Sequence, residues 1–197
     1  MNRDQRVIEI YGAALEEFAE FGFARSNITQ IAEKLNMTKG NLYFFIKSKK
    51  ELYRDSIAWG LMKWQTRVFE KVMTIESPVE KFTVLCESSY YYLAENPVLR
   101  SILIRDQTLF PIDPQNGGLF SEIHDGSIRM ISNILEEGKL DGLFREDLDV
   151  EHISQLTYSI YVMFIVKTYI LSNKHSFEAY FSDAVDLILH GVLKTCS

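Results

Sequence analysis

Cysteine, proline and glycine are scarce in this chain of 197 residues, at two, four and ten. The two cysteines, Cys86 and Cys196, lie far apart and form no CxxC pair, so neither a disulfide framework nor a thiolate metal site is expected. Cys86 reads as a small buried hydrophobe and Cys196 as a terminal thiol, and a reducing cytoplasm is the expected setting. Few prolines and glycines leave long stretches without helix breakers, and the pattern favours helix over strand. The four histidines (124, 152, 175, 190) share no metal-ligand spacing with one another or with the cysteines. No Gly-rich phosphate loop, nucleophile elbow or catalytic metal motif occurs, so the expectation is a protein that is not an enzyme and holds no cofactor or metal. The first 18 residues carry Arg3, Asp4, Arg6 and Glu9 and lack an apolar core before a cleavage site, so no signal peptide is expected. The one long apolar run, residues 153–171, is interrupted by Gln155, Thr157, Lys167 and Thr168 and has no basic flank. It is expected to be a buried helix rather than a membrane span.

What the chain does have is apolar bulk and one charge anomaly. Hydrophobic residues make up 47% and aromatic residues 13%, ample for a core and incompatible with disorder. From Phe23 to Arg54 there are seven Lys/Arg (25, 34, 39, 47, 49, 50, 54) and two acids (33, 51), a local charge of +5. The whole chain carries −6, which leaves −11 for the remainder. A small basic module on an acidic body points to an anionic partner, most economically nucleic acid.

Helix boundaries are written along the chain. A first helix is expected over residues 3–21, stopped by Gly22. Asn27 caps a second, whose apolar face is Ile28, Ile31, Ala32 and Leu35 at the 0, 3, 4, 7 spacing. Asn36 ends it, a residue that tolerates the left-handed conformation such a turn needs. Thr38 caps a third helix from Lys39 to Phe45 or Ile46. Ser48 and Glu51 form a capping box opening a long fourth over 49–75, with Ile57, Leu61, Trp64, Val68, Val72 and Ile75 as its core stripe. Ser77-Pro78-Val79-Glu80 starts a fifth helix that ends near Asn96-Pro97. Further helices are expected over 98–105, 119–138, 150–171 and from a Ser176 cap to 193. Residues 111–118 form the one clear loop. The fold class is all-α with about nine helices. An N-terminal helix-turn-helix domain over residues 1–48 is followed by a larger helical regulatory and dimerisation domain over 49–197, the fourth helix bridging the two.

Two short helices joined by a tight turn make a helix-turn-helix, whose second helix enters the DNA major groove. Leu42 and Ile46, four apart, face inward, so Lys39, Asn41, Tyr43 and Phe45 are expected outward. Thr38 and the free N–H groups of that helix start suit a phosphate, and Gly40 permits close backbone approach.

Gly22-Phe23, Ser26-Asn27-Ile28, Ile31-Ala32, Thr38-Lys39-Gly40, Leu42-Tyr43 and Ser48-Lys49 follow one another in a familiar order and spacing. In this, residues 22–52 resemble the DNA-binding segment of the TetR family of bacterial transcription regulators. The resemblance implies phosphate contacts from Asn27, Thr38 and Lys49, and base or backbone contacts from Thr29, Lys39, Asn41 and Tyr43. Asn36 stands where glycine is usual in that family. Phe45 stands where a histidine or tyrosine often touches phosphate, and Ile46 replaces a phenylalanine.

The resemblance also implies that the remaining helices dimerise and sense a ligand. The run at 153–171 is apolar on both sides, so one face can serve the core and the other a second copy. Tyr158, Val162, Ile165, Tyr169, Phe181 and Ile188 are the expected dimer residues. The middle helices are rich in aromatic and Met residues. Trp59, Met62, Tyr90, Tyr92, Phe120, Tyr158 and Met163, with the polar Ser89 and His124, are the expected pocket. The expected partners are a palindromic double-stranded DNA operator, a second copy of the chain, and a small apolar, aromatic or acyl effector, with no membrane. The expected function is a ligand-responsive repressor. The alternative is a DNA-binding regulator or architectural protein with no effector.

Overall fold

The computed structural model describes residues 2–106, 109, 120–171 and 177–194, with backbone only at 170, 171 and 177–179. The expected loop at 111–118, the Ser176 cap, His175 and Cys196 lie outside the described residues. The described helices are α1 (Arg3–Arg25), α2 (Ile28–Lys34), α3 (Lys39–Leu42), α4 (Lys49–Val72), α5 (Pro78–Glu95), α6 (Pro97–Arg105), α7 (Ser121–Leu140), α8 (Val150–Ile165) and α9 (Phe177–Val192). A π-helical turn, Val166–Leu171, continues α8. The one β-type contact among the described residues is an isolated bridge between Phe144 and Leu193.

Local chemistry explains most boundaries. Gly22 has φ 71, which interrupts the α1 run where a stop is expected, although a last helical turn resumes to Arg25. The Asn27 side chain accepts the Thr29 N–H at 2.9 Å, and Thr38 Oγ1 accepts the Asn41 N–H at 3.2 Å, so both expected caps form. Asn36 has φ 54 and supplies the left-handed residue of the α2–α3 turn. At the start of α4, Ser48 accepts the Glu51 N–H, while the Glu51 carboxylate reaches the Lys47 N–H rather than that of Ser48. Asp149 caps α8 through the His152 N–H.

The chain folds as two compact units. The first comprises Met1–Lys63 with Leu93–Phe120, the second Trp64–Tyr92 with Ser121–Ser197. In the first, α1 packs on α6 and on α2, and α2 on α3. Its core holds Ile10, Ala14, Phe18, Ile31, Leu42, Leu52, Ile57, Ile102 and Leu103. In the second, α7 packs on α8 and α8 on α9, around Val68, Phe82, Ile131, Leu135, Phe144, Ile165 and Val185. The division runs through α4 and α5 and differs from the expected split after residue 48.

Cys86 belongs to the core of the second unit, and burial, with Glu87 acting in the same direction, pushes its thiol up to about 12. In a Cys196→Ser variant, no thiol should react with Ellman's reagent at neutral pH until denaturant is added. Prompt reaction of the native protein would place Cys86 outside the core.

Candidate nucleic-acid interface

The first unit presents α3 on a braced platform. Glu17 of α1 is only 1% exposed, and its carboxylate accepts the Asn27 N–H at 3.0 Å and lies 3.5 Å from Lys34 Nζ. One buried acid therefore holds both ends of α2. Arg6 donates to the Leu35 carbonyl at 2.9 Å and pairs with Glu9, which fixes the turn into α3. Phe18, Phe23 and Tyr53 form a ring cluster, with 4.9 Å between Phe18 and Tyr53 and 5.0 Å between Phe23 and Tyr53. The Tyr53 hydroxyl donates to Asp106 at 2.9 Å; burial first, and then that carboxylate, raise its pKa.

On this platform Thr38, Lys39, Gly40, Asn41 and Tyr43 are all exposed, so the structure brings together five of the expected contact residues. Asn27 is exposed and Thr29 half-buried. Two placements differ from expectation. Phe45 is half-buried, whereas Phe44 is 78% exposed. At about 100° per residue, Phe44 points almost directly away from Leu42, while Phe45 lies only about 60° from the Leu42 direction. The wheel itself carried that signal. The second is Lys49. Its ammonium donates to the Ser26 carbonyl at 2.7 Å and the Ala24 carbonyl at 3.4 Å, and sits 5.0 Å from the centre of the Phe23 ring. It caps the C-terminal end of α1, where cations are favoured. Lys47 and Arg54 pair with Glu51 and Asp55 at the surface, and Arg25, Lys39 and Lys50 are exposed as well. The +5 window is thus partly structural glue, and α3 with its neighbours supplies the outward charge.

The expected pocket residues are divided between the two units. Trp59, Met62 and Phe120 belong to the first unit. Trp59 faces Tyr11 with ring centroids 6.3 Å apart, and Met62 is exposed. Phe120 lines an open cavity of about 400 Å³ together with Lys47, Lys50, Tyr53, Arg54 and Leu109. In the second unit Tyr90 stacks on Phe181, and its hydroxyl meets Thr168 at 3.0 Å. Tyr92 stacks on Trp64 at 5.4 Å, and Tyr158 contacts His124 Nδ1. Ser89 is half-buried, while Met163 is exposed on the outer side of α8.

The expected dimer set also needs correction. Ile165 and Phe181 are 1% and 4% exposed, so the single chain already buries them. Tyr158, Val162, Tyr169 and Ile188 are half-buried. The large apolar residues that α8 and α9 leave exposed are Leu156, Met163, Tyr180 and Leu187, two pairs each seven residues apart. Two-sided apolarity showed that a second face existed; packing against α5 and α7 decided which residues occupy it. Among the described residues no helix is long and apolar enough to cross a membrane, and no group of three His, Cys, Asp or Glu could hold a metal ion.

Comparison with known proteins gives three kinds of match. Residues 10–55 match the family model of bacterial regulatory proteins, tetR family, and residues 61–191 match that of the YsiA-like protein C-terminal region. The HTH-type transcriptional repressor KstR2 of Mycolicibacterium smegmatis is 29% identical over 147 residues, covering 73% of this chain and 69% of the relative. The fatty acid metabolism regulator protein of Bacillus subtilis is 22% identical over 191 residues, covering 95% of each. The solved structure of the transcriptional regulator FadR from Bacillus subtilis in complex with stearoyl-CoA superposes with a TM-score of 0.73 at 21% identity, covering 93% of this chain and 97% of that one, a likeness of fold.

Proposed function

This chain belongs to the TetR family of bacterial regulatory proteins, and we propose that it is a cytoplasmic, homodimeric transcriptional repressor released from or recruited to its operator by a small apolar effector with an acyl or aromatic body. Residues 1–48 read the DNA, residues 49–197 sense and dimerise, and α4 carries the signal between them. The observation that carries this reading is the exposed, capped, basic α3 segment from Thr38 to Tyr43 on an otherwise acidic chain. A single four-residue helix is too small for useful affinity, so two copies on half-sites one or more helical turns apart are required. Leu156 and Met163 on α8 and Tyr180 and Leu187 on α9 are exposed apolar side chains suited to that pairing. The effector class is supported by the aromatic and hydroxyl-bearing interior of the second unit and by the stearoyl-CoA carried by a relative of the same fold. An effector acts only through unequal affinity for the two states, and a change in half-site spacing transmitted by α4 is the proposed difference.

The test is a gel shift on DNA flanking the gene itself, repeated with palmitoyl-CoA. A shift that the ligand alters supports the reading; a shift indifferent to every apolar ligand leaves a regulator without an effector; no shift removes both. Variants separate contact from brace. Lys39→Ala should weaken binding to all DNA and lower the salt slope by about one, with the melting midpoint unchanged. Lys49→Ala should lower the midpoint as well, because it uncaps α1. Asn41→Ala should alter sequence preference. A Lys49→Ala protein that melts like the wild type and loses one unit of salt slope would make Lys49 a plain phosphate contact.

A further inference from the structure

Phe44, 78% exposed, carries the most open aromatic ring among the described residues. Its neighbours Leu42 and Ile46 are buried and Phe45 is half-buried, so the ring lies on the side that the first unit leaves uncovered. Its direction is fixed by the backbone. Tyr43 keeps helical angles, φ −68 and ψ −7, and the Phe44 and Phe45 N–H groups donate to the Asn41 and Leu42 carbonyls at 3.3 and 2.9 Å. The helical turn of α3 therefore continues through Phe44. Phe44 follows Gly40 by four residues and Asn41 by three, which puts the three on one side of the helix, away from Leu42. All three are exposed. A Cβ at Gly40 would meet only the Thr38 hydroxyl, at 3.9 Å, so this side of α3 is open to close approach.

The chemistry of what meets this ring is constrained. Exposed lysines stand on both sides of it in the chain, Lys39 at the start of α3 and Lys47 and Lys50 after it. A second copy of the chain would bring the same cations against them, whereas DNA brings phosphates. The ring has no donor or acceptor, so it reads only an apolar group. On the base edges of the major groove the apolar group is the C5-methyl of thymine. Deoxyribose is apolar too, but it is the same at every nucleotide and carries no sequence information.

We propose that Phe44 is a specificity-determining residue, its ring packing on the C5-methyl group of one thymine in each operator half-site. The inference rests on the DNA-reading role of α3 and deepens it by naming a base that the operator contains and the group by which it is recognised.

The experiment starts with the full-length wild type, which selects its operator from a pool of random duplex DNA. That operator is resynthesised with deoxyuridine in place of thymidine, one position of each half-site at a time, which removes the methyl group and keeps every base pair and polar edge. At one position the wild type should bind about tenfold more weakly, the effect of two buried methyl groups. Phe44→Ala should bind the thymine operator more weakly by a similar factor and should bind both operators equally. Its melting midpoint and salt slope should match the wild type, because the ring is exposed and neutralises no phosphate. A wild type indifferent to deoxyuridine at every position overturns the proposal and leaves the DNA-reading role intact. So does a Phe44→Ala protein that binds weakly yet still discriminates thymine from uracil, the result expected if the ring rests on deoxyribose. A change in sedimentation of Phe44→Ala without DNA would make the ring a contact between copies and would overturn the proposal as well. If the wild type selects no sequence, the DNA-reading role falls and the role of Phe44 falls with it.

Discussion

Gly138→Ala is expected to be the most destabilising single methyl in the described structure, lowering stability by about 3 kcal/mol. A Cβ at Gly138 would stand 2.1 Å from Phe144 Cδ2, 2.3 Å from Cε2 and 2.8 Å from Cγ. The ring cannot retreat, because Phe144 is fully buried and its segment is held on both sides. The Leu143 and Phe144 N–H groups both donate to the Gly138 carbonyl at 2.9 Å. On the other side, Arg145 N–H reaches the Val192 carbonyl and Lys194 N–H the Leu143 carbonyl, also at 2.9 Å. The gain in helix propensity from Gly to Ala, about 1 kcal/mol, offsets only part of the clash. For a chain of this size the melting midpoint should fall by roughly 6–12 °C. Gly12→Ala is the control, since a Cβ there meets nothing within 4 Å, and it should be neutral or slightly stabilising. A Gly138→Ala midpoint within a degree of wild type would show that the Phe144 ring does not rest on α7.

Glu17→Ala should have the largest effect on DNA binding of any residue that touches no DNA. The lost bond is charge-assisted and buried, which sets its contribution at about 2 kcal/mol. The ion pair to Lys34 adds little, because Lys34 is partly exposed and screened by solvent. Without the carboxylate, the Asn27 N–H at the start of α2 is left without its partner, and α2 loses the contact that sets its angle to α1. Because α2 carries α3, the recognition residues move with it. Operator affinity should fall by more than tenfold while non-specific binding at low salt persists, since the exposed cations are untouched. Glu17→Gln keeps an acceptor for Asn27 and should recover most of the specific affinity. If Glu17→Ala both melts and binds like the wild type, α2 is held by its apolar face alone.

These two residues mark the limits of sequence reading in different ways. Glu17 lies seven residues after the buried Ile10 and so on the same side of α1, yet nothing local names its partner ten residues on. Gly138 was legible as a helix-terminal glycine, but the ring that rests on it is known only once the connector has folded back. The DNA-reading segment was the most legible part, because caps and turns depend on residues within about four positions. Asn27, Asn36 and Thr38 do what their chemistry predicts. The expected pocket was the least legible. Aromatic and Met residues serve core, surface and pocket alike, and Trp59 and Met62 belong to a different compact unit from Tyr158 and His124.

The sequence by itself determined the helices, their caps, the basic window and the family segment, because each follows from short-range periodicity and backbone hydrogen bonding. Only tertiary structure decided that Lys49 braces α1, that Ile165 and Phe181 are core, and that Leu156 and Leu187 remain on the surface. The physical reason is the same in every case: a side chain's neighbours across helices are set by how whole faces pack, and an apolar or polar residue carries no local mark of which face will be covered.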